Sequence, residues 1–149
     1  MPCVSKGNDV RLILDTNIVV SALLWGGIPR RLLELGRDKT VILFTSPDLL
    51  DELADVLSRE KFNKLLLQHQ FTPDYLMQRY GMLAQVVNPA PIERTVPDDP
   101  DDDAVLACAL AAHAQMIVTG DSDLIVLHPW QGIDIVGPAE ALQRLAVGN

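Results

Sequence analysis

The chain has 149 residues, enough for one compact domain with a sizeable core and too few for two of ordinary size. Apolar residues make up 48% and charged residues 21%, a globular composition that excludes a disordered or low-complexity chain. Twelve basic against 20 acidic residues give a formal charge of −8, which argues against binding nucleic acid by overall charge alone.

Residues 1–9 are expected to form a flexible N-terminal arm ahead of a single domain. The arm lacks a basic region followed by an apolar one, and the apolar stretches are shorter than a membrane span needs, so a cytoplasmic protein with no membrane partner is expected. Cys3 falls in the arm and Cys108 in a helical pattern, a spacing that suggests two free thiols rather than a disulfide or zinc site.

Val10 to Leu14 is a short, largely apolar run that reads as a buried parallel strand ending at Asp15. A helix is expected from Asn17 to Leu24, broken by Gly26-Gly27, and a second from Pro29 to about Gly36. Val41 to Phe44 reads as a strand. Ser46 and Pro47 then have the N-cap and first-turn chemistry for a helix to about Glu60. Two further helices between Lys61 and Ala84 are expected to separate near Phe71-Thr72-Pro73, with Thr72 capping the second. Val86-Val87 suggests a short strand, and the Pro-rich stretch from Pro89 to Pro100 a loop. A nearly apolar helix is expected from Asp102 to His113, strands at Met116–Thr119 and Ile133–Val136, and a last helix opened by Pro138. Alternating strands and helices predict a parallel sheet sandwiched between helices.

Four acids stand where apolar or strand-end geometry makes them conspicuous. Asp15 and Asp121 follow strands, at the sheet edge where open α/β folds bind ligands. Glu52 shares its helix stripe with Leu49 and Val56, where an unpaired carboxylate is costly. Asp103 shares a face with Leu106, Ala107 and Leu110. Asp98, Asp99 and Asp101 read mainly as a solvated helix start, while Asp102 stands between the two readings. If these acids converge, their repulsion requires cations, and oxygen donors without His or Cys select Mg²⁺ or Mn²⁺ and suit phosphoryl transfer to water. His69, His113 and His128 share no metal-ligand spacing, and Trp25 and Trp130 read as packing or dimer contacts sooner than base-stacking rings.

Leu14-Asp15-Thr16-Asn17, Ser46-Pro47 with Glu52, Asp102-Asp103-Ala104 and Val118-Thr119-Gly120-Asp121-Ser122-Asp123-Leu124 together resemble the PIN-domain family over nearly the whole chain, in particular its VapC-like toxin branch. The resemblance implies a three-layer α/β/α domain with four or five parallel strands. It also implies a ribonuclease that uses one or two Mg²⁺ or Mn²⁺ ions, an RNA substrate, a homodimer or larger assembly, and a small antitoxin partner. Carried over by position, Asp15, Glu52, Asp103 and Asp121 match the acidic tetrad, Asp123 matches a fifth acid, and Asn17 and Thr119 support the site. The neighbouring Asp102 leaves the third ligand open between two residues. Arg30 and Arg31, opening the second helix, are candidates for RNA phosphates, although solvated helix ends are the readier explanation. Two other readings remain. One is an aspartyl-phosphate domain built on Asp15, for which Asn17 stands where a second Asp is needed. The other is a non-catalytic module whose acids bind a basic partner.

Overall fold

The computed structural model describes residues 10–96 and 99–147; the expected N-terminal arm lies outside these. Five parallel strands, β1 (Val10–Leu14), β2 (Val41–Thr45), β3 (Ala84–Val86), β4 (Met116–Val118) and β5 (Asp134–Val136), form one sheet in the order β3-β2-β1-β4-β5. The helices are α1 (Thr16–Leu24), α2 (Gly27–Arg37), α3 (Pro47–Leu57), α4 (Glu60–Gln68), α5 (Pro73–Leu83), α6 (Pro100–Ala112), α7 (Ser122–Ile125) and α8 (Pro138–Val147). No described helix is long and apolar enough to cross a membrane.

Strand side chains alternate between two covered faces, so the strands are mostly apolar, with polar residues such as Arg11, Gln85 and Asp134 toward their ends or at the sheet edge. Leu12, Leu14, Leu43, Met116, Val118 and Val136 point to the side covered by α1, α2, α4, α5 and α8, where Leu32, Phe62, Leu76 and Ala141 close the core. Ile13, Phe44, Ile117 and Ile135 point the other way, against Val105, Leu106 and Ala109 of α6 and Leu124 of α7. Each fully buried Leu or Ile of this kind contributes about 1.5–3 kcal/mol of transfer free energy. The three-layer α/β/α arrangement inferred from the sequence is the one observed.

Several boundaries differ, for local reasons. The third helix ends at Leu57 instead of continuing to Glu60, because Ser58 folds its hydroxyl back onto the Ala54 carbonyl at 2.8 Å and closes the turn. The sixth helix starts two residues before Asp102, since Asp99 caps it by accepting from the Asp101 amide and Pro100 supplies the first helical φ. The third strand is Ala84–Val86 rather than Val86-Val87. Thr72 caps α5 as expected, accepting from the Tyr75 amide at 3.1 Å.

β1 lies at the centre of the sheet, with connections leading to β2 and β3 on one side and to β4 and β5 on the other. The carboxyl ends of β1 and β4 therefore border the crevice where strand order reverses.

Candidate metal centre

Asp15 follows the last residue of β1. Its backbone N–H still bonds the Val118 carbonyl of β4 at 2.9 Å, so the fully formed β1–β4 ladder fixes its Cα. Its side chain caps α1, with Oδ1 accepting from the Thr16 amide at 2.8 Å. Oδ2 accepts from the Thr119 hydroxyl at 2.7 Å. That hydroxyl oxygen also accepts the Asp121 backbone N–H at 3.0 Å, so one threonine at the end of β4 sets both acids.

Asp121 itself caps α7, accepting from the Asp123 amide at 2.9 Å. Across the crevice, Asp102 comes from the first turn of α6 and is only 4% exposed. Oxygens of Asp15, Asp102 and Asp121 lie within 4.8 Å of one another. Asp102 Oδ2 is buried and has no hydrogen-bond partner among the described residues.

Such an arrangement of anions is electrostatically costly, and the acidities show it. Burial pushes the Asp102 carboxyl up to about 8, helped by the adjoining Asp121 carboxylate and by the charges of Asp99 and Asp15. Burial also raises Asp15, and the nearby charges of Asp121 and Asp99 add to it, while the bonds from Thr119 and Thr16 pull the other way. Two or three carboxylates this close need either a proton or a cation.

Glu52 stands at the margin of this group. It lies on the side of α3 that meets α1 and is half-buried, and its Oε1 accepts from the Thr16 hydroxyl at 2.5 Å. Its carboxyl is raised first by burial, against the Thr16 bond, then by the charges of Asp101 and Asp15. Thr16 thus ties Asp15 and Glu52 together through its amide and its hydroxyl. Sequence reading passed over this threonine, although the residue after a helix-capping aspartate is placed to do so.

Asp103 requires a correction. Its carboxylate turns away from the group and gathers the loop ahead of α6, accepting from the Val96 amide at 2.8 Å and the Thr95 amide at 3.1 Å, with Arg94 Nε at 3.6 Å. It is Asp102, about 100° around the helix, that faces Asp15 and Asp121. Of the other residues considered, Asp123 is exposed and lies outside the grouping. Asn17 is exposed and lines a groove on the outer side of α1. Arg30 is engaged with the end of α1, donating to the Ala22 carbonyl at 3.1 Å and the Leu23 carbonyl at 3.5 Å. Arg31 is exposed.

The donor set fits a hard divalent ion. It consists of carboxylate oxygens alone, and one of them is buried without a donor among the described residues. A profile of the PIN domain matches residues 11–123, which span all of these acids. The chain belongs to the PIN domain family. This is a family of nucleases that generally depend on divalent metal, so a nucleic-acid substrate and a metal-binding site accompany the assignment. The PIN domain is also similar to an uncharacterized protein of Methanocaldococcus jannaschii, 29% identical over 120 residues that cover 80% of this chain and 76% of the relative.

Proposed function

We propose that this PIN domain is a Mg²⁺- or Mn²⁺-dependent endoribonuclease, the toxin of a toxin–antitoxin pair, acting in the cytoplasm. The observation that carries the hydrolytic reading is the buried Asp102 oxygen without a donor, held beside the carboxylates of Asp15 and Asp121. A cation would relieve that oxygen together with its two acidic neighbours, and at this edge it would attract phosphate despite the chain's negative charge.

Asp15, Asp102 and Asp121 are the proposed metal ligands, with Glu52 beside them and Asp103 reassigned to holding the loop. Thr119 orients Asp15 and Asp121 through one hydroxyl group, and Thr16 does the same for Asp15 and Glu52. When bound, one or two such ions supply an activated water and charge neutralisation for cleavage of a phosphodiester. The half-buried Glu52, with its acidity weakened by burial, is placed to take a proton at Oε2, its Oε1 being occupied by Thr16.

The toxin assignment, with a small antitoxin and a second copy of the chain as partners, rests on the motif resemblance. Purified protein incubated with single-stranded RNA should cut internally with Mg²⁺ or Mn²⁺ and stop with EDTA. Asp15→Asn and Asp121→Asn should each remove cleavage while retaining the native circular dichroism spectrum. Full activity in both variants would end the assignment of cleavage to these acids, and no cleavage by the wild type with either metal would end the nuclease reading. Growth arrest on expression, relieved by the product of a small adjacent reading frame, would test the toxin role separately.

A further inference from the structure

A second feature extends from the metal centre along the outer side of α1. A groove of about 550 Å³ runs between α1 and α4, lined by Asn17, Val20, Ser21, Trp25, Lys61, Phe62 and Leu65. It begins one residue beyond Thr16, whose amide and hydroxyl hold Asp15 and Glu52. It ends at Trp25, which is 60% exposed. The Trp25 ring meets the buried Phe62 edge-on, with centroids 5.8 Å apart and planes at 61°, so Phe62 braces it without covering it. Lys61 places its ammonium 5.1 Å from the Phe62 ring centre, on the same rim.

We propose that this groove is a subsite for single-stranded RNA, in which Trp25 stacks on a base and Lys61 and Asn17 contact the backbone leading to the acids. The proposal rests on the nuclease reading for its direction but not for its chemistry. A braced, exposed indole beside a cation and an amide is the combination that single strands use, because every base offers a π face. A duplex keeps those faces stacked internally and has nothing to offer the ring.

In a chain of net charge −8, one lysine in the groove makes a weak phosphate track, so stacking must carry the affinity. The polar Asn17, Ser21 and Lys61 among the lining residues favour a nucleotide over an apolar protein helix. Asn17 and Trp25 are eight residues apart on one helix, roughly 12 Å at 1.5 Å per residue. That distance matches about three stacked nucleotides at roughly 3.4 Å each.

The test is the binding of fluorescently labelled oligouridylate in EDTA, where binding is read without cleavage, followed by cleavage of a long oligomer and a dinucleotide with Mn²⁺. Trp25→Ala should weaken binding of a ten-nucleotide strand roughly five- to a hundred-fold, and Trp25→Phe should restore most of it. In a Trp130→Phe background, the remaining indole emission should be quenched by the single strand and not by duplex. With Mn²⁺, Trp25→Ala should raise KM for the long oligomer, leave its kcat near the wild-type value, and not affect the dinucleotide.

Equal binding by Trp25→Ala and wild type would overturn the subsite. So would a Trp25→Ala protein that changes its mass in solution while binding RNA normally, since the face would then be a contact between copies. Quenching by single strands without cleavage under any metal would leave the groove intact and sink the nuclease reading. Cleavage that ignores Trp25 at every substrate length would do the opposite.

Discussion

Asp102→Asn exchanges one oxygen of a 4% exposed carboxyl for an amide of nearly the same shape. In the metal-free wild type, the folded carboxyl holds its proton up to about 8, against 3.8 for an exposed aspartate. Between those values the folded state binds more protons than the unfolded one, so stability falls as pH rises. It is complete below about pH 4 and lost progressively up to about pH 8. At about 1.4 kcal/mol per pH unit over roughly four units, the ceiling on that loss is on the order of 5 kcal/mol, and coupling to the neighbouring carboxylates lowers what one site can show. An amide at this position carries no charge and can donate to the Asp121 carboxylate. In EDTA at pH 8 the variant should therefore be more stable than the wild type by about 1–3 kcal/mol, or about 3–10 °C in Tm, with a smaller gap at pH 5. Mn²⁺ should reverse the order, raising the wild-type Tm and leaving the variant nearly unchanged. Thermal melts followed by circular dichroism at both pH values, with EDTA and with Mn²⁺, read all four states. A variant less stable than wild type in EDTA at pH 8, with an undiminished Mn²⁺ response, would refute the reasoning.

Asp103→Asn should behave in the opposite way, losing about 1–2 kcal/mol in urea melts through weakened bonds to Thr95, Val96 and Arg94, yet keeping its Mn²⁺ response. Thr119→Val removes the hydroxyl group that joins Asp15 to Asp121; metal affinity by calorimetry should drop about 10–100-fold, and wild-type affinity would contradict the bridge. Gly36→Ala puts a Cβ 2.6 Å from Leu43 Cδ1, beneath the centre of the sheet, and should cost about 1–3 kcal/mol by the same melts; an unchanged midpoint would mean that Leu43 moves freely.

The residues that announced themselves in the sequence did so through conflict with their surroundings. Asp15 ends an apolar run, Asp121 follows another, and Glu52 interrupts an otherwise apolar helix stripe, so their positions near one sheet edge followed from periodicity. The choice between Asp102 and Asp103 did not, because both occupy the first turn of one helix and either has apolar neighbours at helical spacing. What separates them is the path of residues 93–96, which brings the amides of Thr95 and Val96 to Asp103 and leaves Asp102 facing the crevice. That path is a tertiary fact without a local signature. The Asp99-Pro100 cap, by contrast, was legible as an aspartate before a first-turn proline, and reading it would have moved the helix start to its observed place. Arg30 shows the converse limit: a guanidinium that looks available for phosphate is engaged by the carbonyls of the preceding helix.

The grouping of Asp15, Asp102 and Asp121 spans more than two-thirds of the polypeptide, and its last member follows β4, a central strand of the sheet. A nascent chain therefore carries only scattered acids until Asp121 has left the ribosomal tunnel and β4 has docked beside β1. For a proposed destroyer of RNA, this order of assembly has a simple consequence: the three proposed ligands come together only once the sheet has formed through β4.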